Sequence, residues 1–316
     1  MTQELPTVHV FHTGALGDSI LLWPMLRRLR RSSRVTLVTE RAKGQLAARE
    51  LGIDAIDIEQ RKYTALWSAD ALQRKSHEQS PARPTPGHVG EFDIDQSVTR
   101  IISFLTDQPT SDWASNARVA FPNAAIEFHS APLDRWAALE LGGNEGSIGV
   151  VCENEQGPVV LHVGAGARAK LWPLDRWCEL ASLVHRRATS DRSVKSISTA
   201  TSSPPSPAPI AVIAGEVEAE RFSGTQRDLF ARLQGRIITD LETLVSTLRA
   251  ARLFIGNDSG PTHLAAQLGV PTVALFGPTD PNRWAPIGPR VTVIAPESPS
   301  PMDWLSAERV VGTIRA

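Results

Sequence analysis

Apolar residues in this chain gather into short runs of strand length, separated by stretches where they return every three or four positions. In the first half the runs are VHVFHT from Val8, RVTLVT from Arg34, AIDIE from Ala55, RIISFL from Arg100 and ARVAF from Ala117. A helix is expected over Ser19 to Arg30, where Ile20, Leu21, Leu22, Met25, Leu26 and Leu29 recur at helical spacing. In the second half the runs are VVLHV from Val159, IAVIAG from Ile210, RIITD from Arg236, LFIGN from Leu253, TVALFG from Thr272 and VTVIA from Val291. Strand, crossover, strand from end to end calls for an α/β fold with parallel sheets covered on both faces.

At 316 residues the chain is long for a single core, so two domains are expected, residues 1–150 and 151–316. The boundary is placed where Gly, Asn and Glu cluster in LGGNEGSIGVVCENEQGP. Two stretches interrupt the order. Lys75 to Glu91 is polar with three prolines and reads as a surface loop. Residues 187–209 are rich in Ser, Thr and Pro and read as a disordered insertion. Met302 to Ala316 is expected to be helical, with Ser306 as its cap.

Hydrophobic residues make up 41% of the chain, enough for two real cores, and the net charge of −1 gives no overall bias toward nucleic acid or an anionic surface. The two cysteines, Cys152 and Cys178, lack metal-ligand spacing and read as reduced thiols, which points to the cytoplasm. The longest apolar runs fall short of a membrane span, and the N-terminus does not read as a signal peptide.

Candidate chemistry concentrates in LFIGNDSGPTHLAAQLGVPTVALFGPTDP, Leu253 to Pro281. Pro261 suits a first helical turn, and Gly269 with Pro271 ends the helix. The free amides and the dipole at such a helix start attract a phosphate. Ser259, Gly260, Thr262 and His263 lie at that start. Two readings stand for His263, a satisfied helix histidine or a ligand contact. Asp258 beside an anion would repel it, so it is expected to cap the turn or to pair with Lys170. Thr279 and Asp280 either line the same pocket or form a structural turn.

Lys170 follows the loop Gly164-Ala165-Gly166-Ala167 at the end of a strand, where open α/β sheets bind ligands. A cation there would offset the charge of a departing diphosphate; a solvated lysine is the alternative. Asp18 ends the loop Gly14-Ala15-Leu16-Gly17 and reads as a helix cap. Arg61 and Lys62 form a short basic pair after the third strand, and Arg27, Arg28, Arg30 and Arg31 crowd the end of the first helix, where they suit its dipole. No His-Glu-x-x-His and no cysteine pair at ligand spacing is found, and neither metal nor other cofactor is expected.

Three segments carry a resemblance: MTQELPTVHVFHTGALGDSILLWPMLRRLR, VVLHVGAGARAKLWPLDRWCELASLV and the Leu253–Pro281 stretch. In these, and in their order, the chain resembles glycosyltransferase family 9, which includes the lipopolysaccharide heptosyltransferases. The resemblance implies the GT-B arrangement, two doubly wound (Rossmann-like) domains facing a central cleft, with a last helix crossing back to the first domain. It implies an inverting, metal-independent transfer of a heptose from a nucleotide-diphosphate donor, ADP-heptose, to a lipopolysaccharide-core or similar glycan acceptor. Asp18 would be the base and Lys170 would lie at the donor's phosphates or ribose. Gly164, Gly166, Asp258, Ser259, Gly260, Thr262, His263 and Thr279 would hold the donor, and Gly17, Arg61 and Lys62 the acceptor. The family places hydroxyl residues just ahead of the lysine; here Gly164 to Ala167 leave that task to backbone amides. The enzyme would be cytoplasmic, with peripheral contact to the inner membrane face. A non-catalytic sugar-nucleotide binder and a nucleotide-sugar epimerase on the same architecture are the competing readings.

Overall fold

The computed structural model describes residues 4–67, 95, 97–130, 133–142, 154–195 and 210–314. The loop expected at 75–91, Cys152 and residues 196–209 of the expected insertion lie outside the described residues. Contacts group the chain into two compact units, one of Met1–Ala15 and Leu22–Leu133, the other of Leu16–Leu21 and Asp134–Ala316.

The first unit holds a sheet of five strands: β1 (Thr7–Phe11), β2 (Arg34–Thr39), β3 (Asp54–Asp57), β4 (Val98–Ser103) and β5 (Ala125–Phe128). Their order is β3-β2-β1-β4-β5 and every pair is parallel. A parallel sheet is buried on both faces, and all five residues of β1 are buried. Against it packs an aromatic cluster in which the ring of Phe11 lies 5.3 Å from Trp113, 5.7 Å from Tyr63 and 6.3 Å from Phe121, each edge-on. Beyond β1, the Lys43 ammonium pairs with Glu40 at 2.9 Å and donates to the carbonyl of Gly14, fastening the loop that follows the strand.

Two sequence expectations fail here. ARVAF is not a strand: Asp112–Ala120 is a helix capped by the Ser111 hydroxyl, and the fifth strand follows it at Ala125–Phe128. Trp113, Ala114 and Ala117 recur at helical spacing and are buried together, so the period of the whole segment outweighs its last five residues. The expected helix over Ser19–Arg30 is two helices, Leu16–Leu21 and Trp23–Leu29. Pro24 sits in the first turn of the second, where its missing amide is tolerated, and it interrupts the ladder of the first.

The second unit holds six parallel strands: β6 (Val159–His162), β7 (Ile210–Gly215), β8 (Arg236–Ile238), β9 (Leu253–Asn257), β10 (Thr272–Leu275) and β11 (Val291–Ile294). The order is β11-β10-β9-β6-β7-β8. From β6 the chain builds outward through β7 and β8, then returns to β9 and builds the other way. The pair β6 and β9 is therefore the switch point, where the loops leaving the two strands diverge and open a crevice. The core includes Leu161, Ile255, Leu275 and the edge-on pair Trp172 and Trp177, 4.9 Å apart.

The Ser/Thr-rich segment begins later than expected, since the helix Leu174–Lys195 continues through its first nine residues, which contain no proline. The last helix, Ala307–Thr313, is capped by Ser306 as expected. It stays in the second unit, with Ala307 and Val310 buried in that core and Val311 accepting a hydrogen bond from Arg187. Its apolar face is complementary to the helix Leu174–Lys195, which accounts for its place.

Three buried histidines give the fold a pH dependence. Burial lowers the pKa of His9 and His12 in the first unit, and of His162 in the second, to about 4. Each is neutral when folded and takes up a proton near its ordinary value of about 6.5 when unfolded. Stability is therefore complete above about pH 6.5 and falls as pH drops toward the folded values, by up to about 1.4 kcal/mol per pH unit for each histidine. Urea unfolding across this window should show the decline, and His12→Gln should flatten it; the same slope in the variant would exclude His12 as a source.

Candidate active site

The loops that leave β6 and β9 meet at the switch point of the second unit. The first, Val163 to Leu171, ends in a single helical turn, Arg168–Lys170. The second is the turn Asp258-Ser259, which leads directly into the helix Gly260–Gln267. That helix ends as its sequence indicates: Gly269 takes a φ of 77°, its amide bonds Ala266, and the amide of Val270 bonds Ala265, closing the left-handed cap that glycine favours.

Asp258 is the hub. It is 5% exposed, and its Oδ2 accepts from Lys170 Nζ at 2.7 Å and from Thr279 Oγ1 at 2.8 Å. His263 Nε2 stands 3.8 Å from Oδ1, beyond hydrogen-bond reach but close enough to pair if protonated. Burial pushes the carboxyl pKa up, yet the polar contacts of His263, Lys170 and Thr279 outweigh it and hold the group below the ordinary carboxylate value. Of the two readings for Asp258, the pairing with Lys170 is the one seen. Thr279 spends its hydroxyl proton on the same carboxylate, so its side chain orients Asp258. Asp280 accepts from the amide of Asn282 at the start of the helix Pro281–Trp284, a capping role.

Beneath the helix start runs a second, buried chain of hydroxyls. Thr262 Oγ1 donates to the carbonyl of Asn257 at 2.5 Å, Ser259 Oγ lies 3.1 Å from Thr262 Oγ1, and His162 Nδ1 lies 3.4 Å from Ser259 Oγ. Thr262 is fully buried and its only hydroxyl proton is committed. The expectation that this hydroxyl donates to a phosphate is corrected accordingly: its place on the helix turns it inward to the end of β9. Ser259 makes no side-chain cap to its helix, because its hydroxyl is engaged below. The amides of Thr262 and His263 both bond the carbonyl of Ser259 and Pro261 has none, so the helix start leaves the amide of Gly260 and the imidazole of His263, whose Nδ1 is buried without a partner.

The helix Leu16–Leu21 packs on this helix start. An added methyl at Gly260 would lie 2.9 Å from Cβ of Leu16 and 3.1 Å from the amide of Gly17, so only glycine admits this approach. An added methyl at Gly17 would meet Cδ2 of His263 at 3.5 Å. Asp18, next to Gly17, lies in the first turn of Leu16–Leu21 and is half-buried. It is a helical residue of the first turn, and the N-cap position itself lies ahead of Leu16.

Gly164 is buried, whereas Gly166 is exposed with open space around it. A side chain at Gly164 would strike the carboxylate of Glu218, 2.8 Å from its Cδ. Glu218 sits on the helix Glu216–Glu220 just beyond β7, and sequence reasoning missed it. Its signal was available, an acidic residue just after the second strand of a doubly wound unit. Lys62 lies in the first unit on the helix Arg61–Thr64, its ammonium 5.3 Å from the ring of Tyr63. Arg61 begins the same helix.

Two doubly wound parallel sheets, one with a cation, a buried carboxylate and a helix start at its switch point, define a protein of the GT-B class. The chain belongs to glycosyltransferase family 9 (heptosyltransferase), whose family model matches residues 106–304. It is 28% identical to lipooligosaccharide heptosyltransferase 2 of Haemophilus influenzae over 126 residues, which are 40% of this chain and 32% of that protein's length. Among solved structures it is similar to Escherichia coli heptosyltransferase WaaC with ADP, with a TM-score of 0.59 at 16% identity over 97% of this chain and 98% of the other. It is also similar to a family 9 glycosyltransferase from Veillonella parvula, with a TM-score of 0.62 at 16% identity over 99% and 97% of the two chains. At that identity the structural likeness speaks to the fold.

Proposed function

We propose that the chain moves a heptose from ADP-heptose to a lipopolysaccharide-core or similar glycan acceptor, with inversion at the anomeric carbon. The observation that carries this reading is the pairing of Lys170 with Asp258 beside the start of the helix Gly260–Gln267, at the switch point of the second sheet. The donor diphosphate would lie against the Gly260 amide at that helix start, with Lys170 supplying positive charge and His263 a ring nitrogen for hydrogen bonding. The ribose hydroxyls would reach Glu218, in keeping with the acidic residue that holds a ribose in doubly wound nucleotide sites. Support for the nucleotide comes from the solved heptosyltransferases of this fold, which include WaaC with ADP and WaaC with ADP-2-deoxy-2-fluoro heptose.

In the chemical step Asp18 takes the proton of the acceptor hydroxyl. The acceptor oxygen bonds the anomeric carbon while the bond from that carbon to the diphosphate oxygen breaks on the opposite face. The diphosphate leaves as ADP, its charge held by Lys170 and the positive end of the helix. No step runs through a metal, so a chelator is expected to leave the rate unchanged. Gly17 and the Arg61–Lys62 pair are assigned to the acceptor. The reaction is placed in the cytoplasm, with peripheral contact at the inner membrane; no helix among the described residues is long and apolar enough to cross a membrane.

A thermal-shift screen of nucleoside diphosphates tests the donor. ADP at about one hundred times its Kd should stabilise the protein by about 2.7 kcal/mol, and UDP and GDP by less. Release of ADP from ADP-heptose only when a glycan acceptor is present would establish transfer. Tight ADP binding without any turnover would favour a non-catalytic binder, and altered free sugar without an acceptor would favour an epimerase.

A further inference from the structure

The loop that carries Lys170 is fastened at both ends by one side chain, and we propose that this residue, Asn257, is the positioning residue for the ammonium that faces the donor phosphates. The inference rests on the donor-site reading above. Asn257 ends β9 and is fully buried. Its Nδ2 donates to the carbonyl of Gly164 at 3.0 Å and to that of Val163 at 3.3 Å. Its Oδ1 accepts from the amide of Trp172 at 3.3 Å. The carboxamide thus grips the loop where it departs from β6 and again where it returns, two residues after Lys170. The next residue along the chain is Asp258, the partner of Lys170. One side chain therefore fixes the loop bearing the cation against the turn bearing the carboxylate.

The chemistry explains why the residue is an amide. The carbonyls of Val163 and Gly164 leave the sheet in a buried place and need donors, while the returning amide of Trp172 needs an acceptor. A primary carboxamide offers two donors and an acceptor on one rigid plane. An aspartate would turn an oxygen toward two carbonyls, and a leucine would leave three polar groups without partners. The rest of the loop makes few anchoring bonds of its own. Residues 166–169 are exposed; the turn is held by the amides of Lys170 and Leu171 bonding Ala167 and Arg168, with one long bond from Arg221 Nη1 to the carbonyl of Gly166 at 3.5 Å. Without Asn257 the ammonium keeps its charge but loses its fixed place over Asp258, and a phosphate gains less from it.

Calorimetric titration of ADP into wild type, Asn257→Ser, Lys170→Met and the double variant tests the assignment. Asn257→Ser is expected to weaken ADP about tenfold in the wild-type background and less than about twofold in the Lys170→Met background, because its effect passes through the lysine. Equal losses in both backgrounds would show a general structural role and overturn the proposal. Wild type that binds no ADP would instead overturn the donor-site reading. If Asn257→Ser does not fold, amide hydrogen exchange on the wild type serves: the Trp172 amide should be protected like those of β6, and exchange as fast as that of the exposed loop residue Ala169 would overturn the proposal.

Discussion

Asp18→Asn is expected to lower the rate of sugar transfer by about 10²- to 10⁴-fold, the usual contribution of a general base, while ADP binding changes by less than about twofold. The carboxamide keeps the size and shape of the side chain, so the helix Leu16–Leu21 and its contact with Gly260 should persist. What is lost is the ability to take a proton as the acceptor oxygen attacks. Loss of the charge from the first helical turn costs stability by only about 0.3–1 kcal/mol, too little to account for a large fall in rate. The loss should appear in kcat, because a base acts in the transition state and not in donor binding. Steady-state kinetics with saturating donor, a calorimetric ADP titration and a melting curve separate these effects. Turnover at the wild-type rate would remove Asp18 from the chemistry and leave it a charge at a helix start.

Where the hydrophobic period was unbroken, the sequence was sufficient. Among the described residues every strand but Ala125–Phe128 falls within or beside an apolar run read from the chain, and the helix stop at Gly269 follows from glycine's freedom at positive φ. The failures have local causes. ARVAF satisfies a strand template over five residues, but it is the last turn of a helix whose buried face is set by Trp113, Ala114 and Ala117. Pro24 could have signalled the break after Leu21, yet the apolar spacing runs straight through it.

At the candidate site the residue types were legible and their orientations were not. Sequence shows that Thr262, Thr279 and Ser259 carry hydroxyls near a helix start; it does not show that their bonds go to Asn257, Asp258 and a buried chain reaching His162. The Thr262–Asn257 bond is local, but the pairs Thr279–Asp258 and Ser259–His162 join the ends of different strands, and only the sheet order brings those together. Asn257 escaped as a positioning residue for the same reason, since it acts on a loop that is distant in sequence.

The same convergence makes Lys170→Met the substitution with the largest combined effect. Asp258 is nearly fully buried, while the Lys170 side chain keeps 29% of its surface exposed. Removing the ammonium leaves a buried carboxylate with Thr279 and a distant imidazole, a change expected to destabilise the second unit by about 3 kcal/mol, the low end for breaking a buried pair. It should also slow transfer by about 10²- to 10³-fold, as loss of a charge that stabilises a leaving group does. The pH dependence identifies the cause. In wild type the Asp258 pKa lies below its unfolded value, so the pair's stabilisation is present above the ordinary carboxylate pKa of about 4 and is lost as pH falls through the lower folded value. In the variant part of what offsets burial is gone, so the Asp258 pKa is expected to rise and the cost of removing the lysine to grow as pH rises. The gap in stability between the two proteins should therefore be widest near neutrality and close as pH falls below about 4. Asp258→Asn in the Lys170→Met background should recover much of the lost stability but none of the lost rate, since the neutral amide needs no counter-charge and the departing diphosphate still does. A gap that stays constant with pH would mean that the lysine stabilises through its aliphatic stem, not through the carboxylate it touches.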